Sequence, residues 1–114
     1  MPDTTFNLHW YEGPAHINGV EFTNVHVSEH ADSDGPGVIK SWEGTASVPK
    51  RSAPTITAAW LEEAMQQPVE VRLEGDAVGR AYITGAALHN DNGRERWSVD
   101  FTGTGPSPWV KGGA

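Results

Sequence analysis

The chain has no cysteine, so a disulfide, a thiolate metal site and a cysteine nucleophile are all closed to it. Stability has to come from packing, and the absence fits a reducing compartment. No stretch approaches the ~20 apolar residues that a membrane-spanning helix needs. "MPDTTFNLHW" has no basic segment leading into an apolar one, so no secretion signal is read there, and the expectation is a soluble protein made in the cytoplasm. A third shortage is local. Residues 1–39 hold six acids (Asp3, Glu12, Glu21, Glu29, Asp32, Asp34) and no Lys or Arg. Residues 40–114 hold nine acids and eight bases, so the formal charge of −7 belongs almost entirely to the first third. Binding a nucleic-acid duplex needs a basic footprint, and this balance argues against tight binding. An acidic surface instead repels a polyanion, keeps the protein soluble or meets a basic partner.

Catalytic signatures are missing as well. There is no GxSxG elbow. "GTGPSP" lacks the third glycine of a phosphate loop and carries prolines where a helix would start. Glu62 and Glu63 are adjacent on an expected helix, point apart and cannot face one another as an acid–base pair.

Strand periodicity is abundant. With 114 residues the chain reads as a single domain, 1–114, large enough to bury roughly 65% of its unfolded surface. The dominant period is two, which marks strands with one buried face. "TFNLHWY" sets Phe6, Leu8 and Trp10 on one side. In "VEFTNVHV" the alternation begins as Val20 and Phe22 and continues as Val25 and Val27, a slip that predicts a bulge near Thr23–Asn24. "EHADSDGPG", 29–37, reads as a long exposed acidic loop. "VIKSWEGTASVP" places Val38, Trp42, Ala46 and Val48 on one face, and Gly44 within it marks a bulge or a close backbone approach. A helix is expected over 57–67, capped by Thr57, stapled from Ile56 to Leu61 and stopped by Pro68. Its apolar stripe is Trp60, Leu61, Ala64 and Met65. The last third reads as a three-stranded meander: Val69, Val71 and Leu73 inward, then "RAYITGAAL", the turn "HNDNG", and "RERWSVDFT" with Trp97, Val99 and Phe101 on one face. The sum is a mostly β fold, an antiparallel β-sandwich or small barrel of about six strands with one short flanking helix.

Five histidines (His9, His16, His26, His30, His89) are the candidate metal or acid–base groups, and His26 and His30 would share a strand face. A metal needs three or four ligands converging, and no short ligand motif occurs, so no metal or other cofactor is expected. Once protonated, the four in the acidic third would offset its charge. "HADSDG" and "LHNDNG" match the middle of a calcium loop through Asp32, Asp34, Gly35 and Asn90, Asn92, Gly93. They fail at its first and twelfth positions, where His30, Leu88, Ser41 and Val99 stand. Of five tryptophans, Trp10, Trp42, Trp60 and Trp97 lie in periodic segments and are expected in the core. Trp109 follows Pro106 and Pro108 in an extended tail, 103–114, and either folds back on its own domain or docks on a neighbour.

"WSVDFTGTGP", with the glycine-bounded strand "GRAYITG", the single helix before the meander and "SWEGTASV" upstream, resembles the C-terminal end of tail-tube and related tail proteins of long-tailed bacteriophages. The likeness covers roughly 69–106. It implies a non-enzymatic virion structural protein, made in the host cytoplasm, that self-assembles into rings, usually hexameric, stacked around a DNA channel. Its partners would be copies of itself and other phage tail or head proteins, with DNA only as non-specific cargo and no membrane. By position, Glu29, Asp32, Asp34 and Pro36 in the loop and Pro106, Pro108 and Trp109 in the tail would form the oligomer interface. The chain is short for a major tube subunit, so tail-completion and head-decoration roles stay open. A second class is a monomeric β-sandwich module binding carbohydrate or protein through exposed aromatics such as Trp10 or Trp109. A third is a small hydrolase or metal enzyme using the histidines.

Overall fold

The computed structural model describes residues 4–34 and 37–109. Six strands carry the fold: β1 (Thr4–Ile17), β2 (Val20–Asp34), β3 (Gly37–Pro49), β4 (Val69–Arg72), β5 (Val78–Asp91) and β6 (Arg94–Thr104). One helix, α1 (Ala58–Ala64), lies between β3 and β4. All neighbours are antiparallel, and the sheet closes on itself in the order β1-β2-β3-β6-β5-β4. Of the two β architectures the alternation allows, this is the barrel.

Local chemistry sets the connections. Asn18 and Gly19 join β1 to β2, and Asn92 and Gly93 join β5 to β6, all four at positive φ. Two consecutive left-handed residues make the tight turn whose twist matches a hairpin, and Asn-Gly is the pair that adopts it most readily. Asn90 tightens the second turn by accepting the Gly93 N–H at 2.9 Å. The slip in "VEFTNVHV" is a bulge: Gly13 faces Val25 and Ala15 faces Phe22, so β2 carries one extra residue at Thr23–Asn24. That extra residue turns Phe22, Val25 and Val27 all inward, each nearly sealed from solvent.

The inward set of the meander is as the periodicity dictates: Val69, Val71, Leu73, Ala81, Ile83, Val99 and Phe101 are buried. Gly44 marks a close approach and no bulge, because its register with both β2 and β6 is unbroken. A Cβ at Gly44 would overlap the His26 carbonyl oxygen and the Phe101 ring. The Thr57 hydroxyl caps α1 by accepting the Trp60 N–H at 3.1 Å. Ile56 and Leu61 are both buried in the core cluster, as a staple requires. Leu61 and Ala64 face the barrel, whereas Met65, counted in the apolar stripe, is exposed just past the helix end.

Two expectations are corrected. Residues 29–34 are strand, where a loop is expected over 29–37. β2 runs on to Asp34 and β3 starts at Gly37, with paired registers from Asn24↔Ser47 out to Asp34↔Gly37. Polar residues form strands here because the backbone is satisfied by two ladders, β1 on one side and β3 on the other. Nor is Trp10 a core residue: it is 70% exposed, and Leu8 is exposed beside it. β1 bulges between Asn7 and His9, which resets its faces, and Trp10 then pairs with Ser28 on the outer side.

Both corrections describe one object. β3 joins β6 only from Glu43 onward, and β1 joins β4 only at His16 and Ile17. The first half of β1, the second half of β2 and the first half of β3 therefore stand beyond the closed part as a three-stranded arm. The principal-axis extents, 50 × 31 × 25 Å, reflect it.

Candidate functional site

The arm's inward side meets the barrel mouth. Glu29 continues the inward row of Val25 and Val27 and is 5% exposed. Its carboxylate takes the His9 Nδ1 at 2.6 Å. His9 in turn stacks on Trp109, with ring centroids 5.1 Å apart and planes 14° from parallel. Trp42 fills the space below, edge-on to Phe101 at 6.2 Å. The chain after β6 bends at Gly105, and Ser107 and Pro108 are buried. The Pro108 ring lies so close over Gly79 that a Cβ there would fall 2.9 Å from it. Trp109 is half-buried against the core cluster. Of the two fates open to Trp109, folding back on its own domain is the one observed.

Tyr11 belongs to the same region. Its hydroxyl donates to the Pro14 carbonyl. Burial, and next the nearby Glu74 carboxylate, push its phenol above the ordinary value, with a hydrogen bond from the Glu74 backbone opposing them.

The outer side of the arm is polar and aromatic. Trp10, His26, Ser28, Glu43 and Thr45 line a groove of about 360 Å³. A second hollow of the same volume, about 360 Å³, shares His26 and Thr45 and runs on to Arg96 and Ser98. His26 lies 3.9 Å from Glu12, and His30 lies 3.1 Å from Glu43. His26 and His30 do share the strand face, yet each meets a different carboxylate on a neighbouring strand. His89 contacts the Ser98 hydroxyl at 2.8 Å instead. Among the described residues no three His, Asp or Glu side chains come together as a metal site. Neither calcium-like stretch is a loop of that kind: residues 30–34 are strand, and 90–93 is the β5–β6 hairpin turn.

The residues expected at an interface separate. Glu29 is turned inward onto His9, Pro108 is buried and Trp109 is half-buried on its own domain. Pro106 is exposed. Pro36 and the side chains of Asp32 and Asp34 lie outside the described residues. Trp10, which the periodicity placed in the core and only the binding-module reading placed outside, is with Leu8 a large apolar group on the arm's surface. Two strand edges are open: β1 along Thr4–Ala15 and β3 along Gly37–Trp42 have no second strand among the described residues. A third feature lies at the far end of β3, a groove of about 740 Å³ between the Pro49–Thr57 segment and the β5–β6 turn.

No protein-family model matches the chain, and neither a curated protein nor a solved structure matches it. Among the described residues, no helix is long and apolar enough to cross a membrane.

Proposed function

We propose that this protein is a non-enzymatic structural subunit that self-associates through its arm, in the manner of a tail-tube-like protein of a long-tailed phage particle. The observation that carries the reading is the pair of open strand edges on the three-stranded arm, one of them bearing Trp10 and Leu8. Unpaired edges are templates for another chain, and proteins that stay monomeric cover, charge or shorten them. Here the edge strands run far past the barrel, and large apolar side chains decorate one of them. The likeness of "WSVDFTGTGP" and "GRAYITG" to tail proteins supports a ring-forming role. The acid-rich first third suits a channel through which DNA passes without sticking. Other tail or head proteins of the particle would be the remaining partners, and tail-completion and head-decoration are the narrower variants of the same role.

Light scattering behind size-exclusion chromatography, run from low to high concentration, tests it. Rings or polymers forming with concentration support the reading. A 12.3 kDa monomer at every concentration overturns it.

One observation favours a second reading. Trp10 stands exposed at the edge of a groove lined by His26, Ser28, Glu43 and Thr45, an aromatic platform with polar partners beside it. That arrangement suits a sugar ring in a monomeric binding module. A monomer whose tryptophan emission shifts with oligosaccharide would favour it.

A further inference from the structure

The groove at the far end of β3 concentrates positive charge on an acidic protein. Lys50, Arg51, Arg94 and Arg96 line it, four of the chain's eight Lys and Arg. Only Asp91 and Glu95 oppose them there, so the lining carries two net positive charges on a chain of net −7. Lys50 is held by Glu95 at 3.4 Å. Arg51, Arg94 and Arg96 have no carboxylate partner among the described residues. The wall between them is apolar, from Ala53 and Ile56, both buried, with Pro49 and Pro54 at the rim. Guanidinium groups grip carboxylates through paired, coplanar hydrogen bonds. About 740 Å³ lies within the range of built binding pockets.

We infer that this groove is the receptor for the acidic arm of a second copy of the chain, β2 foremost. Charge selects the occupant. The first 39 residues carry six acids and no Lys or Arg, and the end of β2 that lies in the arm holds Asp32 and Asp34. Topology makes the contact intermolecular. β3 begins in the arm at Gly37 and ends at the groove at Pro49. Thirteen strand residues span about 40 Å at the usual rise, and this rigid strut keeps a molecule's own arm tip away from its own groove. Arm into groove is therefore a head-to-tail contact between unlike surfaces. Such a contact closes into rings or runs on as a filament, depending on the rotation between copies. The inference rests on the self-association proposed above and supplies the surface that receives the arm.

The test uses three full-length proteins: wild type, R51E/R94E and D32K/D34K. Folding is checked by circular dichroism, and R51Q/R94Q serves as a milder groove variant. Light scattering against concentration is the readout. Wild type associates, more strongly at low salt. Each charge-reversed variant needs about tenfold more protein, or fails to associate. An equimolar mixture of R51E/R94E and D32K/D34K associates again, since lysines on one copy's arm then meet glutamates in the other's groove. Wild type that stays monomeric sinks the self-association reading and this one with it. Wild type that associates while R51E/R94E and R51Q/R94Q do so equally well sinks only the groove. Loss in both reversed variants without rescue in the mixture overturns the arm as its occupant.

Discussion

Gly103 lies directly beneath the indole of Trp42, so close that a Cβ at that position would overlap the ring. The two residues sit on strands that no local pattern connects, yet each is what the other requires. The bare backbone of β6 gives the largest side chain of β3 its place, and the same indole and Pro108 both crowd against Gly79.

Gly103→Ala forces the Trp42 ring out of its position or off its preferred rotamer. Overpacking of a closed core costs about 1–3 kcal/mol. Chemical denaturation followed by tryptophan fluorescence should show a lower midpoint with an unchanged slope. A midpoint equal to wild type would mean that the indole has room to move.

Trp109 is part of the fold. Trp109→Ala removes the stack on His9 and the cover over the core, at a cost of about 1–2 kcal/mol for a half-buried aromatic. The expected result is a lower melting temperature in dilute, monomeric protein. A loss of stability seen only at associating concentrations would place Trp109 at a contact between copies instead.

Trp10→Ser should separate folding from assembly. Exposed positions without partners change stability by about 0.5 kcal/mol or less. Unfolding should therefore match wild type, while the concentration needed for association rises. Equal association by the variant would move the contact away from β1's open edge.

Thr57→Ala removes the hydroxyl that receives the Trp60 N–H. Loss of such a cap costs about 1 kcal/mol. With only seven residues, α1 has no stability of its own to offset it. Hydrogen exchange at Leu61 and Met65, whose amides donate to Thr57 and Leu61, should accelerate more than exchange in the strands.

Tyr11 makes stability fall at alkaline pH. In the unfolded chain its phenol ionises near 10.0. In the folded chain burial and the Glu74 carboxylate delay that ionisation. Its contribution is thus fully present below about pH 10 and is lost as pH rises through the folded value, because the unfolded chain then holds fewer protons. Tyr82→Phe leaves Tyr11 as the only tyrosine, and its phenolate absorbance can then be titrated directly. Ionisation at or below the ordinary value would overturn the assignment.

The sequence by itself determined the strands, their inward rows, the capped helix and the antiparallel meander. Each depends on contacts between near neighbours: alternation along a strand, Thr57 to Trp60 across one helical turn, Asn92-Gly93 within one hairpin. It also marked Gly44 and the bulge at Thr23–Asn24, because a broken period is visible without a partner. Asn18-Gly19 held an equal hairpin signal, which the surrounding "GPAHING" obscured. Tertiary structure decided the rest. Whether residues 29–34 form strand or loop depends on the ladders with β1 and β3, since polar residues extend wherever their backbones are paired on both sides. The exposure of Trp10 depends on one extra residue near Leu8, which exchanges the two faces of a strand. The placing of Trp109 on His9, and the gathering of Arg51, Arg94 and Arg96 into one groove, depend on barrel closure. Closure joins chain segments more than forty residues apart, and no periodicity reports which distant residues it will bring together.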